Sequence, residues 1–187
     1  MATKNVTKAK PTWSDVKTRL ADFDRAGLLR LVQDLYAASK DNQAFLHARF
    51  ALGDDPLEPY KAIITRWVNP PDYRKPQSVA KAKKAISDYK KALGLPEGLA
   101  ELTVFYCEEV FDFLADCGMD DEGFFDALVR MFEQALKYVL ALSTTQQPGF
   151  LTRLDRVRQL GQDVGWGVGD DFNHLWSAAG LAATGRT

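Results

Sequence analysis

The stretch that decides the fold runs from residue 99 to residue 142 and reads LAELTVFYCEEVFDFLADCGMDDEGFFDALVRMFEQALKYVLAL. Two apolar segments, residues 99–117 and residues 122–142, flank the turn sequence Gly118-Met119-Asp120-Asp121. In each segment apolar residues occupy nearly every side of a helix, which is typical of a helix inside a protein. We therefore predict two long helices, packed against each other, at the centre of the fold.

Helix start and stop signals predict six or seven further helices around this pair. Ser14, Asp24 and Ser78 stand where N-cap residues are expected, and Asn69-Pro70-Pro71 ends a helix because proline disfavours helix in the residue before it. No segment shows the two-residue alternation of a strand. The predicted fold is all-α, with eight or nine helices packed as antiparallel hairpins around the central pair, an arrangement compatible with an α-hairpin stack.

The predicted domain organisation is simple. We expect a disordered tail over residues 1–12, a single all-helical domain over residues 13–180 and a flexible tail over residues 181–187. The proline-rich stretch 69–77 is where a hinge could lie, but it is too short to indicate two domains.

Composition excludes several classes of protein. The chain has 187 residues and a formal net charge of -1, whereas a dedicated nucleic-acid binder is normally basic. No apolar run approaches the roughly 20 residues that span a bilayer, and no signal sequence precedes the domain, so we predict a cytoplasmic protein without membrane contact. Cys107 and Cys117 stand ten residues apart on one predicted helix, about 15 Å, too far for a disulfide.

Arg49 is the first candidate functional residue. On a helix starting at Asp41 or Asn42 and ending near Leu52, Arg49 falls between Phe45 and Leu46 on the apolar face. A guanidinium buried there needs a carboxylate or several acceptors. It is therefore either a structural ion pair, the interpretation we favour, or part of an anion site.

An acidic stripe follows the first central helix. Its members lie within an arc of about 100° and are Glu101, Glu108, Glu109, Asp112 and Asp116. Carboxylates in this pattern suit a hard cation, but no Glu-x-x-His motif accompanies them, so no metal site is predicted. We favour a solvated face, or one balanced by the basic helix that precedes it.

That basic helix spans residues 78–93. Lys81, Lys84 and Lys91 line one side of it, and Lys83 and Lys90 line another. Together with Arg66 these cations could hold phosphate or nucleic acid. Its one aromatic residue, Tyr89, lies on the inward face, so no platform for stacking bases is predicted.

A glycine-rich turn, Gly165-Trp166-Gly167-Val168-Gly169, precedes Asp170 and Asp171. It has neither the Lys-Ser/Thr ending of a Walker A loop nor the preceding strand of a dinucleotide fingerprint. We predict that Asp171 caps the last helix. The functional alternative is a carboxylate pair that faces a pocket with Arg49. No Ser/His/Asp or Cys/His catalytic set can be assembled, so no catalytic residue and no cofactor is predicted.

Three sets of residues carry a resemblance. The first comprises Leu35-Tyr36, Ser39, Asn42, Phe45-Leu46 and Arg49-Phe50, and the second comprises Lys81-Ala82-Lys83-Lys84-Ala85-Ile86 with Tyr89-Lys90. The third comprises Phe132, then Gly165 and Gly167 before Asp170-Asp171. From about Leu20 to Trp176 the chain resembles an uncharacterised bacterial family of small all-helical cytoplasmic proteins, a domain of unknown function. The resemblance implies no activity, substrate or cofactor, but places Arg49, Lys84, Asp170 and Asp171 in the family pattern.

The functional prediction is a non-enzymatic helical interaction or scaffold domain that binds a protein partner or itself. The alternative is a phosphate- or nucleic-acid-binding module that uses the basic helix 78–93. A small enzyme or anion site around Arg49, Asp170 and Asp171 comes third. The candidate anion- or partner-binding residues are Arg49, Lys81, Lys84, Asp170 and Asp171.

Overall fold

Nine α-helices form the regular structure of residues 10–50, 52–53 and 55–182, which are the residues described by the computed structural model. They are α1 (Trp13–Leu20), α2 (Arg25–Ala38), α3 (Lys40–Arg49), α4 (Glu58–Val68), α5 (Val79–Ala92), α6 (Pro96–Asp116), α7 (Glu122–Leu140), α8 (Gln147–Leu160) and α9 (Val168–Ala178). A short 3-10 helix, Gly161–Asp163, follows α8. These ranges contain no strand, so the all-α prediction is confirmed.

The chain divides between Gln43 and Ala44 into two compact units, Met1–Gln43 and Ala44–Thr187. The first unit contains α1, α2 and the first residues of α3. The stretch 69–77, where a hinge could have been, lies inside the second unit. The predicted tails fall outside the described residues over positions 1–9 and 183–187.

The second unit is organised around α6 and α7, as the sequence predicts. Helix α6 begins at Pro96, three residues before the predicted start, because proline is tolerated in the first turn of a helix. Helix α7 is capped by Asp121, whose carboxylate accepts a hydrogen bond from the Phe124 N–H at 2.7 Å. The pair buries most of its apolar side chains, and the Phe132 ring stacks on Phe172 of α9 with centroids 4.1 Å apart.

The other helices of the second unit cover this pair. Helix α4 packs on α5 and α6, whereas α8 and α9 pack on α7. Helix α5 presents the small buried side chains of Ala82, Ala85 and Ala92, which permit close approach between helices. Ser78 caps α5 as predicted, since its hydroxyl accepts a hydrogen bond from the Lys81 N–H.

Two predicted caps are wrong. Helix α1 begins one residue before Ser14, and its N-cap is Thr12, whose N–H donates to the Asp15 carboxylate at 2.7 Å. Helix α9 is capped by Gly167, which adopts a left-handed conformation with φ 72°, so Asp171 lies inside the helix rather than at its cap.

The described helices can also be compared with the requirements of a bilayer. None of them is both long enough and apolar enough to span one.

Candidate functional site

The most unusual feature of the first unit is an apolar helix face that stays exposed. We define the α2 face as Leu28, Leu29, Val32, Leu35 and Tyr36, which fall within an arc of about 120° on the helix. Their exposed fractions run from 37% to 61%, and no residue of α1 or α2 is buried. Large contiguous apolar patches of this kind are rare on monomeric proteins and mark interaction sites.

Helix α1 and the turn after it also expose large apolar side chains. Trp13 is 70% exposed, Val16 is 45% exposed and Phe23 is 46% exposed. Phe23 directly precedes the α2 N-cap and packs against Gly27, where an added Cβ would come within 2.9 Å of its ring. The apolar surface of the first unit therefore has contributions from two helices.

Hydrogen bonds hold both ends of α2. At the N-terminus the Asp24 carboxylate accepts from the Gly27 N–H at 2.7 Å, as the sequence predicts. At the C-terminus the side-chain amides of Asn42 and Gln43 donate to the carbonyls of Leu35 and Tyr36, at 2.6 and 3.1 Å. These bonds satisfy backbone groups that a helix end would otherwise leave open, so the α2 face is carried by a well-defined helix.

Arg49 does not occupy the predicted buried position. The buried side chains of α3 are Ala44 and Ala48, and Arg49 is exposed. Its Nη1 donates to the Ala92 carbonyl at the C-terminus of α5 over 3.0 Å. The structure thus gives Arg49 a helix-end carbonyl as partner, where a positive charge is favoured, and no hydrogen bond or ion pair within the described residues joins it to Asp170 or Asp171.

The acidic stripe is balanced by cations that the sequence did not single out. Arg153 of α8 bonds bidentately to Glu108, at 2.8 and 2.6 Å, and contacts Glu101 at 2.5 Å. Lys61 of α4 completes the group, 2.7 Å from Glu101. The predicted balance by the basic helix is therefore wrong, because the partners come from α4 and α8.

This ion-pair group changes the titration of its members. Burial alone would raise the pKa of Glu101, but hydrogen bonds from Arg153 and Lys61 outweigh it and lower that pKa below its ordinary value. The hydrogen bonds that Arg153 donates to the Glu108 carboxylate are the main cause of the raised pKa of Arg153. The group ties α4, α6 and α8 together and keeps its charges ionised.

Glu109 and Asp116, also on the stripe, have different surroundings. Burial raises the pKa of Glu109, although hydrogen bonds with Thr65 and Asn69 act against the rise, and its Oε2 is buried without a hydrogen-bond partner within the described residues. The Asp116 carboxylate accepts from the Tyr73 hydroxyl at 2.8 Å. In the part of the chain that the structure describes, no group of three or more His, Cys, Asp or Glu residues is placed to hold a metal ion.

The lysines of α5 are exposed, yet four of the five have partners on the protein itself. Lys81 Nζ lies 3.7 Å from the centre of the Trp67 ring, a close cation–π contact. Lys84 Nζ pairs with the Asp88 carboxylate at 2.5 Å. Tyr89 is buried, as the sequence predicts. Lys81 thus contacts α4 whereas Lys84 pairs within α5, so the two candidate lysines have different partners.

The glycine-rich turn places its aspartates in the first turn of α9, where both are exposed. Carboxylates at this position are stabilised by the positive end of the helix. Trp166 is half exposed, adopts a left-handed backbone with φ 57°, and stacks on Phe125 with ring centroids 6.4 Å apart. The turn thus starts a helix and holds an aromatic contact.

One pocket of the second unit escaped the sequence analysis. It has a volume of about 530 Å³ and lies beside the N-terminus of α6, with apolar walls from Leu57, Leu95, Leu142 and Phe150. Tyr89 and Gly98 also line it. Its residues come from four separate stretches of the chain, and no local motif relates such stretches.

No family model, curated protein or solved structure matches this chain. The resemblance to a bacterial family of unknown function therefore stays a prediction. Three structural features bear on function: the α2 face, the ion-pair group and the pocket.

Proposed function

We propose that this protein is a non-enzymatic helical interaction module that associates with a second copy of itself through the α2 face. The supporting observation is that the first unit exposes eight large apolar residues, at 37% to 70%, while its two complete helices bury none. Elements of about 40 residues seldom bury enough apolar surface to be stable without a partner or cross-link.

The exposed area suits a dimer of ordinary size. Roughly half of each of these eight side chains is accessible, which amounts to on the order of 700 Å² of mainly apolar surface. A standard protein–protein interface takes about 800 Å² from each partner. The exposed apolar residues of α1, α2 and the turn between them together therefore offer close to the area that one side of a stable dimer requires.

The order of residues on α2 favours a second copy as the partner. Counting outward from Val32, apolar residues stand at equal distances on both sides, Leu29 with Leu35 and Leu28 with Tyr36. An antiparallel two-fold pairing centred on Val32 would place each apolar residue opposite another, as an isologous interface requires. Antiparallel packing also brings opposite ends of the two helix dipoles together.

Charge does not oppose this pairing. Residues 10–43 contain six Lys or Arg and five Asp residues, a net charge of +1. Two copies of this segment would therefore repel each other only weakly. On α2 the charges of Arg30 and Asp34 lie on the side of the helix away from Val32, whereas Arg25 lies on the same side as Val32 but at the first residue of the helix. The centre of the apolar contact therefore needs no charge to be buried.

The experiment is analytical ultracentrifugation of the full chain from low to high micromolar concentration. We expect a monomer–dimer equilibrium for the unchanged protein and at least a tenfold weaker association for Val32→Glu, because the two substituted carboxylates would face each other across the two-fold axis. Ala37→Glu is the matched control, since it adds the same charge on the opposite side of the same helix.

A mixing experiment tests the register. Val32→Glu and Val32→Lys should each be monomeric alone, whereas an equimolar mixture should recover dimers through the opposite charges. A wild-type chain that stays monomeric at every concentration would contradict the proposal. Failure of the mixture to recover dimers would contradict the two-fold axis at Val32.

A further inference from the structure

We infer that the pocket beside the N-terminus of α6 binds a small organic cation, a primary amine attached to an apolar body. The site lies wholly in the second unit and its assignment does not depend on self-association. Three features carry the inference: a tyrosine hydroxyl at the pocket wall with no protein hydrogen-bond partner within the described residues, a space left for it by a glycine, and acidic residues next to apolar walls.

The hydroxyl at the pocket wall belongs to Tyr89. This side chain is 1% exposed, its ring packs edge-on against Tyr60 with centroids 5.4 Å apart, and it lines the pocket. Within the described residues no protein group hydrogen-bonds to the Tyr89 hydroxyl, and this oxygen faces the pocket, unlike the enclosed, unpaired hydroxyls of Tyr60 and Tyr106. A ligand in the pocket would take the place of solvent as its hydrogen-bond partner.

Gly98 gives this hydroxyl its place. A Cβ at position 98 would collide with the Tyr89 hydroxyl and with the ring carbons next to it. Glycine weakens a helix relative to alanine, so Gly98 makes the first turn of α6 less stable. The close approach of Tyr89 explains why glycine is nevertheless present there. Both residues line the pocket, so the hydroxyl lies at its wall rather than in the closed core.

The charged residues around the pocket indicate the sign of the charge that the ligand carries. Every charged residue that lines it, among those the structure describes, is acidic, namely Asp55, Glu97 and Glu101. Glu101 is already neutralised by Lys61 and Arg153, and Glu97 accepts a hydrogen bond from the neutral Gln146 amide at 3.2 Å. Asp55 and Glu97 therefore leave a negative field, which outweighs the partial positive charge of the α6 N-terminus beside it.

The apolar walls of the pocket indicate that the uncharged part of the ligand is apolar. Leu57, Leu95, Leu142 and Phe150 form an apolar lining, and a volume of about 530 Å³ lies within the range of small-molecule sites. A short alkyl chain would bury itself against these side chains. Its ammonium group would then donate hydrogen bonds to the Tyr89 hydroxyl oxygen and to the Glu97 carboxylate.

The experiment compares three probes that share one body, n-hexylamine, 1-hexanol and hexanoate, by isothermal titration calorimetry and by amide chemical shifts in the full chain. Hexylamine should bind at least tenfold more tightly than hexanol and should shift the Gly98 amide resonance, and hexanoate should bind most weakly. Equal binding of amine and alcohol, tighter binding of hexanoate, or no binding of hexylamine would each overturn the inference.

Two variants test the named groups without changing the packing. Tyr89→Phe removes only the unpaired hydroxyl, and Glu97→Gln removes only the charge, so each should weaken hexylamine several-fold while leaving hexanol binding unchanged. Glu122→Gln is the matched control, because Glu122 lies at the opposite end of α7 from Leu142 and should leave both affinities unchanged. An unaltered hexylamine affinity in both pocket variants would also overturn the inference.

Discussion

Helices α2 and α7 have similar sequence patterns but different surroundings. Both carry apolar residues at spacings of three and four, and both begin with an aspartate cap. Helix α7 buries its apolar face in the core of the second unit, whereas the α2 face remains exposed. An amphipathic pattern therefore predicts which face of a helix is suited to burial. It does not predict whether that face is covered by the same chain or by a partner.

The largest contrast should come from truncating one large side chain in each unit. Phe132→Ala should lower the free energy of unfolding by about 3–5 kcal/mol, because Phe132 is fully buried and stacks on Phe172. Leu29→Ala, measured at a concentration where the chain is monomeric, should change it by less than about 0.5 kcal/mol, because Leu29 is 61% exposed. Urea denaturation measures both, and equal losses would show that the α2 face is covered within the monomer.

A smaller effect is expected from the ion-pair group of the second unit. Arg153→Ala should cost about 2 kcal/mol, because it removes hydrogen bonds to Glu101 and Glu108 at a half-buried site. Arg156→Ala is the control, since Arg156 is an exposed neighbour on α8. A similar loss of unfolding free energy in the two variants would show that Arg153 stabilises the fold no more than an exposed surface arginine does.

The titration of Glu101 should contribute to the pH dependence of the free energy of unfolding. Because its pKa is lower in the folded chain than the ordinary value of 4.5, Glu101 stabilises the fold above that value and loses this contribution as the pH falls through its folded-state pKa. Glu101→Gln should therefore flatten the acid limb of the stability curve. Denaturant midpoints between pH 6 and pH 3 measure the change, and parallel curves would contradict it.

The smallest expected effect is at Arg49. Arg49→Ala should cost about 1 kcal/mol or less, because the exposed guanidinium loses one hydrogen bond to the Ala92 carbonyl and orphans no buried charge. Arg49→Met keeps most of the packing of the side chain and should cost less. Thermal denaturation measures the stability of both variants. A loss of several kcal/mol would instead support the predicted burial of Arg49 with a partner.

The sequence predicted what depends on local chemistry. The central pair, the caps at Asp24 and Ser78 and the break after Val68 follow from side chains that act within a few residues. The α3 face was mispredicted because Phe45 and Leu46 are more apolar than Ala44 and Ala48, yet only the small side chains are buried. Burial there follows how closely the helix packs rather than how apolar each residue is.

The candidate sites were less predictable, since they depend on residues far apart in the chain. The partners of Glu101 are Lys61 and Arg153, and the latter is 52 residues away. The start of α9 was missed because Gly167 caps it through a left-handed backbone rather than through a side chain. The α2 face could be read from the sequence as apolar, but its exposure could not.

The contact between Tyr89 and Gly98 has an evolutionary consequence. Because the tyrosine fills the space in which a side chain at position 98 would grow, the two positions cannot drift independently. Homologues that keep an aromatic residue at the first should keep glycine at the second, and those that shrink the first are free to adopt alanine and gain a firmer helix. Covariation between these two alignment columns would then trace which descendants of the ancestral chain have kept the pocket.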